Sequence, residues 1–510
     1  MRDITMTKDT QTYVAAIDQG TTSTRCILFN KTGEIISDAQ KEHVQIFPQP
    51  GWCEHDPVEI WQNTQSVVQE AIAKAEVDIS SQVVAVGITN QRETTVFWDR
   101  ETGKPLYNAI VWHDARTHEI VKRLKEADSN NTCKIMTGLP IATYFSASKI
   151  IWMMENCPGV REKCEQGQAM FGTIDTWLVW NLTGGVNGGL HLTDVTNASR
   201  TMLMNLQTQS WDDKLLQWTN ISKNILPTIC ASSDKIGTCT FDSCLPNIPI
   251  AGILGDQQAA LFGQTCFQSG EAKNTYGTGC FLMMNTGEKI VPSESGLLTT
   301  VAYKIGNNPC SYALEGSVAV AGALVQWLRD NLKIIENASE VESLAKQVSD
   351  NGGVYLVPAF GGLFAPYWRD DARGVLVGLT AYCNRNHIAR ASLESVAYQT
   401  MDVVKAMEKD VGYPMTSLKV DGGMTVNELL MQFQADMLDV EVVRPRVLET
   451  TALGAAYAAG LAVGYWNDIN DLKKNSRVGK TWNSTIEQEK RSLYQKKWRK
   501  AVERTLDWED

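Results

Sequence analysis

Several polar turns in the sequence follow apolar runs and contain groups that can bind phosphate. Three of them are rich in glycine, Asp18-Gln-Gly-Thr-Thr-Ser23, Thr275-Tyr-Gly-Thr-Gly279 and Val420-Asp-Gly-Gly423. Backbone N–H groups and hydroxyls in such turns can bind phosphate oxygens without a bulky side chain in the way. The chain has 47 Lys and Arg against 58 Asp and Glu, a net charge of −11, so an anionic substrate needs such local binding devices.

An aspartate and an Arg-Glu pair follow apolar runs and supply charged side chains. Asp256 follows the run from Ile248 to Gly255, where a carboxylate can accept a proton. Arg92-Glu93 follows a second apolar run, and a charged donor beside a charged acceptor suits hydroxyls, which donate and accept. The alternatives are structural: Asp256 as the N-cap of a helix, and the Arg-Glu pair as an exposed, salt-bridged loop.

The elements that carry these residues alternate between strands and helices. Residues 14–18 and 24–30 predict two strands joined by a tight turn. Residues 57–75 predict a helix, and residues 83–98 predict a buried strand followed by a second strand. This order is typical of an α/β fold.

A repeated pattern indicates that the architecture is duplicated. Residues 18–35 and 275–290 each contain a Gly-Thr turn, an apolar strand and a hairpin with the letters T-G-E. The repeat places a domain boundary near residues 265–272. The alternative is that two β-hairpins share turn residues by chance.

Length and composition exclude several classes of protein. A chain of 510 residues, 43% apolar and 21% charged, predicts a folded enzyme-sized protein of two to four domains. There is no G-x-x-x-x-G-K-[ST] motif and no G-x-G-x-x-G motif, and the acidic charge argues against nucleic-acid binding. The most apolar segment, 452–466, is too short and too rich in glycine to span a bilayer. The first dozen residues lack the apolar run of a signal peptide.

The twelve cysteines indicate the compartment. They are scattered singly between Cys26 and Cys383, without a C-x-x-C pair. This pattern predicts reduced, mostly buried thiols rather than disulfides or a zinc site, and therefore a cytoplasmic protein.

Taken together, the polar turns resemble the phosphate and adenosine segments of the actin, hexokinase and Hsp70 ATPase superfamily, and within it the FGGY carbohydrate kinases. The motifs most similar to the glycerol-phosphorylating members span residues 13–465 and are Gly51-Trp-Cys-Glu-His-Asp-Pro57, Thr89-Asn-Gln-Arg-Glu-Thr-Thr95, Gly172-Thr-Ile-Asp-Thr-Trp177, Thr193-Asp-Val-Thr-Asn-Ala-Ser-Arg200, Gly255-Asp-Gln-Gln258, Lys273-Asn-Thr-Tyr-Gly-Thr-Gly-Cys-Phe281 and Ala313-Leu-Glu-Gly316. The resemblance implies two ribonuclease-H-like (actin-like ATPase) α/β domains flanking a central cleft. The expected boundaries are 13–265 and 270–465, with a C-terminal helical extension over 466–510.

The resemblance also implies the activity, ATP-dependent phosphorylation of glycerol to sn-glycerol 3-phosphate, and the residues that perform it. Asp256 is expected to be the catalytic base. The residues expected to bind glycerol are Arg92, Glu93, Tyr144, Asp256 and Gln257, with Trp112 and Phe281 against its carbon face. Ordinary core packing is the alternative for the two aromatic residues.

On the nucleotide side, the implied cofactors are ATP and Mg²⁺. Asp18 is expected to bind Mg²⁺ through water, as this ion retains much of its hydration shell. The residues expected near the β- and γ-phosphates are Thr21, Thr22, Ser23 and Arg25, with Thr278 from the second hairpin. The residues expected near the adenosine and the α-phosphate are Gly322, Gln326, Gly423 and Asn427. For Gly322 the alternative is a small residue in helix packing.

Partners, regulation and rival functions follow from the same resemblance. The expected partners are glycerol and ATP or ADP, without nucleic acid, in a homodimer or homotetramer. Regulated bacterial relatives bind fructose 1,6-bisphosphate with a Gly-Gly-Thr-Arg loop, whereas residues 243–249 contain no arginine, so that control is not expected here. One rival is an FGGY kinase for another polyol or a ketose. The other is an actin-like ATPase without a phosphoryl acceptor, which would not need Arg92, Glu93 or Asp256.

Overall fold

The computed structural model describes residues 11–509, so most of the segment examined for a signal peptide lies outside the described residues. The chain divides into two compact units, and neither is continuous in sequence. The described residues up to Thr265, together with Thr300–Ser311 and Glu449–Ser476, form the first unit. The second contains Cys266–Thr299, Tyr312–Leu448 and the residues from Arg477 onwards. The domains expected from sequence were continuous stretches, so the structure differs most in placing residues 449–465 in the first unit.

The first unit is built around a six-stranded sheet. In sheet order its strands are Ser233–Thr238, Pro249–Gly255, Val83–Asn90, Tyr13–Gln19, Ser23–Phe29 and Ile35–Glu42. The three strands nearest the N-terminus are antiparallel neighbours, whereas strands 13–19, 83–90 and 249–255 run parallel. Their carboxyl ends therefore meet at one edge of the sheet, and this edge carries Asp18, Arg92 and Asp256.

The second unit repeats this pattern of strands. In sheet order the strands are Leu298–Tyr303, Ser311–Val318, Cys280–Gly287, Glu271–Tyr276, Ser417–Asp421, Val442–Pro445 and Val478–Trp482. The chain passes from one unit to the other within the first two of these strands. Strands 271–276, 280–287 and 311–318 are antiparallel neighbours, and strands 417–421 and 442–445 run parallel to the first of them. The expectation of an α/β fold with two ribonuclease-H-like sheets is confirmed.

Helices and short strands complete each unit. The helices of the first unit are Pro57–Ala75, Ile79–Gln82, His118–Ala127, Thr132–Thr137, Ser146–Asn156, Val160–Glu165, Ile174–Leu182, Val195–Ala198, Asp213–Thr219, Asp256–Gly263, Thr450–Ala462 and Ile469–Asn475. Its short strands are Glu54–His55, Val96–Asp99, Ala109–Ile110, Ala169–Gly172, Leu192–Asp194, Met204–Asn205, Ser210–Trp211 and Thr228–Cys230.

The helices of the second unit are Gly322–Asp330, Glu340–Ala345, Arg385–Val411, Glu428–Leu438 and Gln488–Glu503, and its short strands are Tyr355–Val357 and Val375–Val377. The extension expected to be helical over 466–510 also contains the strand Val478–Trp482, which pairs with Val442–Pro445. Sequence periodicity missed this edge strand because it is short and mostly exposed. In the described residues no helix combines the length and apolarity needed to cross a membrane.

The helix Thr450–Ala462, which includes much of the most apolar segment of the sequence, packs on the sheet of the first unit through small residues. A Cβ atom on Gly87 would lie 2.1 Å from the carbonyl oxygen of Ala455, and one on Gly454 would lie 1.9 Å from that of Ala259. The backbone of this helix therefore contacts the backbone of both a central strand and the helix that begins at Asp256. This close packing fixes the position of the Asp256 helix on the sheet.

We expect Gly454→Ala to destabilise the protein, although alanine is the better helix former by about 1 kcal/mol. The new methyl group requires the backbone at Ala259 to move, and overpacking of this kind costs roughly 1–3 kcal/mol. A lower midpoint of thermal unfolding would confirm the contact. Gly361→Ala is the control, because no atom lies within 4 Å of its added Cβ. A Gly454 variant as stable as the wild type would contradict this account of the packing.

Candidate active site

Arg92 is the centre of a buried polar cluster in the first unit. Its Nε lies 3.3 Å from Oδ1 of Asp256 and 3.8 Å from Oε1 of Glu93. Its terminal nitrogens donate to the side-chain oxygen of Gln258 at 3.3 Å and to the hydroxyl of Tyr144 at 3.4 Å. The Arg92 side chain is only 2% exposed, so it is held by partners and is not part of the exposed loop that was the structural alternative.

Two basic residues that were not selected from the sequence hold in place residues that are expected on the substrate side. The Nε of Arg200 donates to Oε1 of Glu93 at 2.6 Å, and both side chains are buried. The Nζ of Lys149 donates to the carbonyl oxygens of Thr143 and Tyr144 at 2.6 and 2.8 Å. Burial lowers the pKa of Lys149 to about 7, although the nearby Glu93 carboxylate opposes this shift. Arg200 thus orients Glu93, and Lys149 fixes the backbone of Tyr144.

Aromatic side chains and a glycine shape this cluster. The rings of Trp112 and Tyr144 meet edge to face, with centroids 5.3 Å apart. A Cβ atom on Gly255 would lie 2.7 Å from Cγ of Arg92, so the absence of a side chain there lets Arg92 pass over the end of the strand. An aromatic wall beside a fixed guanidinium and carboxylate suits a small molecule with both carbon and hydroxyl faces.

Asp256 is the first residue of its helix, not the N-cap. The helix spans Asp256–Gly263, and the N-cap is Gly255, which makes no side-chain capping bond. Oδ1 of Asp256 accepts a hydrogen bond from the backbone N–H of Gln257 at 2.7 Å. The side chain is 31% exposed, so its carboxylate is accessible to a bound hydroxyl while the helix N-terminus stabilises its charge.

The first hairpin places Asp18 and four polar residues at the same edge of the sheet. Burial raises the pKa of Asp18 to about 7; the Arg25 guanidinium opposes this shift, and Asp256 and Glu449 add to it. A bound cation would favour the ionised carboxylate. The backbone N–H of Gly20 donates to the carbonyl oxygen of Ser23 at 2.9 Å and closes the turn.

The hairpin side chains have different surroundings. The hydroxyl oxygen of Thr21 accepts from the indole N–H of Trp112 at 2.9 Å, and Thr22 is exposed. Ser23 is buried and accepts from the side chain of Gln40. Arg25 forms an ion pair with Glu449 at 2.6 Å, so a phosphate would share its guanidinium with that carboxylate.

The residues expected near the adenosine belong to the second unit, where they line one cavity of about 460 Å³. These residues are Gly322, Gln326, Gly423 and Asn427, and Thr278, which is expected near the β- and γ-phosphates, lines the same cavity. Val325, Val341, Leu393 and Met424 supply an apolar part of the wall, which suits the faces of a planar base.

Two of these residues have structural roles as well. A Cβ atom on Gly322 would lie 2.6 Å from the carbonyl oxygen of Gly277, so the packing alternative also holds for this glycine. Asn427 caps the helix Glu428–Leu438, since its side-chain oxygen accepts from the N–H of Leu430. Their contact with a nucleotide remains a prediction.

Phe281 also lies in the second unit. It is half-buried on the strand Cys280–Gly287, and its carbonyl oxygen accepts from the ammonium group of Lys273 at 3.1 Å. Its expected place against the carbons of glycerol remains a prediction.

The N-terminal domain model of the FGGY family of carbohydrate kinases matches residues 13–263, and the C-terminal domain model of the same family matches residues 272–463. The glycerol kinase of Roseiflexus sp. (strain RS-1) is 58% identical over 498 residues, which cover 98% of this chain and 99% of the relative. The glycerol kinase of Chloroflexus aurantiacus is 60% identical over 496 residues, which cover 97% and 99% of the two chains.

A crystal structure of Plasmodium falciparum glycerol kinase with ADP superposes with a TM-score of 0.92 at 42% identity, and covers 97% of this chain and 98% of that one. A gluconate kinase from Lactobacillus acidophilus shares the fold, with a TM-score of 0.85 at 23% identity over 97% of each chain. Both domain models, the near full-length relatives and the fold agree, and the chain belongs to the FGGY family of carbohydrate kinases.

Proposed function

We propose that this protein transfers the γ-phosphoryl group of ATP to glycerol and releases sn-glycerol 3-phosphate and ADP. The observation that carries the proposal is the buried cluster in which Arg92 joins Glu93, Tyr144 and Asp256 beside Trp112. The near full-length relatives that are glycerol kinases support the choice of glycerol as the acceptor.

The polar cluster would bind the acceptor through its hydroxyls. The Arg92 guanidinium donates and the Glu93 carboxylate accepts, so adjacent hydroxyls can each form a charge-assisted hydrogen bond. Gln257 adds an amide that can do both. Trp112 and Tyr144, with Phe281 proposed as a third aromatic residue, would contact the carbon chain. Because the wall of the cluster is built from large side chains, it favours a small triol over a larger sugar.

Asp256 is proposed as the base of the transfer step. The terminal hydroxyl oxygen of glycerol forms a bond to the γ-phosphorus, the bond from that phosphorus to the bridging oxygen breaks, and ADP leaves with its electron pair. The hydroxyl proton passes to the carboxylate of Asp256. Arg92, 3.3 Å from this carboxylate, holds it in position and keeps a positive charge nearby.

Mg²⁺ fits the oxygen donors of the first hairpin. Burial raises the pKa of the Asp18 carboxyl to about 7, and a cation bound beside it would favour the ionised form. We propose an ion held by one carboxylate, water and nucleotide phosphates, which is the usual mode for Mg²⁺. The ion would neutralise phosphate charge during transfer.

The hairpin turns are proposed to bind the phosphates. Thr21, Thr22, Ser23 and Arg25 would contact the β- and γ-phosphates on one side, and Thr278 on the other. The cavity that contains Gly322, Gln326, Gly423 and Asn427 would hold the adenosine and the α-phosphate.

We also propose a cytoplasmic homo-oligomer that does not bind nucleic acid. None of the twelve cysteines, which all lie within the described residues, forms a disulfide, and ten of them are buried, as predicted from their spacing. Thiols in this number favour a reducing compartment. Light scattering of the purified protein measures its oligomeric state.

An acceptor comparison tests the proposed function. ADP release from Mg·ATP is measured with glycerol, with pentuloses and with no acceptor. We expect glycerol to stimulate release strongly, whereas the pentuloses and the blank give only background. Stimulation by a pentulose alone would favour a ketose kinase, and equal release in all three would favour an ATPase without an acceptor.

A further inference from the structure

Six residues of the first unit form a closed ring of hydrogen bonds. The ring joins the hairpin of residues 18–25, here called the phosphate hairpin, to the aromatic side chains of Trp112 and Tyr144, here called the glycerol wall. The ring runs through Thr21, Gln45, His55, Gln91, Thr94 and Trp112. Thr21 and Trp112 belong to the hairpin and to the aromatic wall already described, whereas Gln45, His55, Gln91 and Thr94 have no proposed contact with a substrate. His55, Gln91 and Thr94 are at most 1% exposed.

One half of the ring starts at the hairpin. The side-chain amide nitrogen of Gln45 donates to the carbonyl oxygen of Thr21 at 3.0 Å. The amide oxygen of Gln45 therefore faces Nε2 of His55, which lies 2.9 Å away. This nitrogen must carry the proton, and Nδ1 of His55 is left as an acceptor.

The other half returns to the hairpin through the aromatic wall. The amide nitrogen of Gln91 lies 3.3 Å from Nδ1 of His55, and its amide oxygen accepts from the hydroxyl of Thr94 at 2.9 Å. The oxygen of Thr94 accepts from the backbone N–H of Trp112 at 3.2 Å. The indole N–H of Trp112 then donates to the hydroxyl oxygen of Thr21 at 2.9 Å and closes the ring.

Each donor and acceptor in the ring is fixed by its neighbours, so only one tautomer of His55 fits. A protonated imidazole of His55 would present a second N–H, at Nδ1, to the amide nitrogen of Gln91. Burial and the neighbouring His43 and His113 lower the pKa of His55 to about 3, so the imidazole is neutral near pH 7. The ring of His43 packs edge-on against His55, with centroids 4.5 Å apart, and restricts its rotation.

Gln91 anchors the ring to both strand ends that carry the site. Its side chain also donates to the side-chain oxygen of Gln19 at 3.0 Å, and its backbone N–H donates to the carbonyl oxygen of Gln19 at 2.7 Å. Gln19 is followed by the hairpin, and Gln91 precedes Arg92 directly. The ring thus crosses the gap between the groups proposed to hold the phosphate and those proposed to hold the acceptor.

We propose that His55 and Gln45 are positioning residues that set the distance between the phosphate hairpin and the glycerol wall. This inference rests on the proposed glycerol phosphorylation. Neither residue needs to touch a substrate, because each acts through Thr21 or through Gln91 and Trp112. A misplacement of reacting groups by about 1 Å can lower the rate of transfer roughly 100-fold without abolishing binding.

The test is a double-mutant cycle with His55→Phe and Gln45→Leu in the full chain. We expect each single variant to lose about 10- to 100-fold in kcat, while KM for glycerol and for ATP changes much less. Because both changes break the same ring, the double variant should be no slower than the slower single variant. Gln45 is only half-buried, so Gln45→Leu decides the result if His55→Phe does not fold.

His191→Phe is the matched control. It removes a half-buried histidine of the first unit, whose Nε2 bonds to the carbonyl oxygen of Phe171 at 2.7 Å, outside the ring. We expect its kcat to remain near that of the wild type. Near-native kcat in the folded ring variants, additive losses in the cycle, or an equal loss in His191→Phe would overturn the inference. A wild type without glycerol-dependent activity in the same assay would instead refute the proposed function.

Discussion

Replacing Asp256 by Asn is expected to lower kcat by roughly 10²- to 10⁴-fold while glycerol and Mg·ATP still bind. The amide retains an oxygen that can accept from the N–H of Gln257 and lie beside Arg92, so the local structure should persist. It cannot accept the hydroxyl proton. The measurement is kcat and the affinity for glycerol of the variant, together with its midpoint of thermal unfolding.

Asp212→Asn provides the control for helix effects. Asp212 caps the helix Asp213–Thr219 in the same unit, and its carboxylate accepts from the N–H groups of Lys214 and Leu215. We expect this change to cost about 1 kcal/mol or less in stability and to leave kcat unchanged.

The size of the Asp256 effect depends on when the hydroxyl proton is transferred. In a loose transition state the proton leaves late, and the positioning of the hydroxyl can matter more than the basicity of the carboxylate. An Asp256→Asn enzyme with near-native turnover, or one that is inactive only because it is unfolded, would remove the residue from the catalytic role.

The second large effect is expected for Arg92→Ala, which should weaken the use of glycerol by about 10- to 150-fold. This range corresponds to the loss of a charged hydrogen bond, roughly 1.5–3 kcal/mol. The affinity for ATP should change little, because the contacts of Arg92 are with Glu93, Tyr144, Asp256 and Gln258 on the acceptor side.

Arg92→Lys separates the loss of charge from the loss of shape. Lysine keeps a cation near Asp256 but lacks the fork of donors that reaches both Tyr144 and Gln258. We expect KM for glycerol in Arg92→Lys to lie between the values of the wild type and of the alanine variant. If the alanine variant is unstable, Arg92→Lys takes its place in the test. Equal losses of affinity for ATP and for glycerol in a folded variant would count against this placement of Arg92.

Local patterns in the sequence were sufficient to predict the elements that carry the site. The helix over residues 57–75 has the predicted bounds, and the two Gly-Thr turns join antiparallel strands in both units. Asp18, Arg92 and Asp256 each follow or end an apolar strand, and parallel pairing brings those ends to one edge. The pattern works because the burial of a strand and the polarity of the following turn are encoded within about ten residues.

Interactions between residues far apart in the chain could not be predicted in this way. Arg200 contacts Glu93 across 107 residues, and no spacing rule links the two. Lys149 lies in a largely apolar helix, where its burial depends on carbonyl groups that only the folded turn presents. His55 lies in the motif of residues 51–57. Its proposed role depends on Gln45 and Gln91, which only the fold brings to its two nitrogens.

The return of the chain to the first sheet is a second case. The sequence of Thr450–Ala462 indicates a buried helix, but its place on the strands 83–90 and 249–255 depends on glycines in those strands. Gly87 and Gly252 leave room for its backbone, and a reading of local periodicity does not show this match.

Transfer of labelled phosphate is the most direct test of the proposed reaction. The purified protein is incubated with glycerol, Mg²⁺ and ATP labelled at the γ-phosphorus, and the phosphorylated product is separated and identified. We predict that the label moves to glycerol, that the product is sn-glycerol 3-phosphate, and that one ADP forms for each product molecule. Label that appears only as inorganic phosphate, or that moves to a pentulose but not to glycerol, would contradict the account.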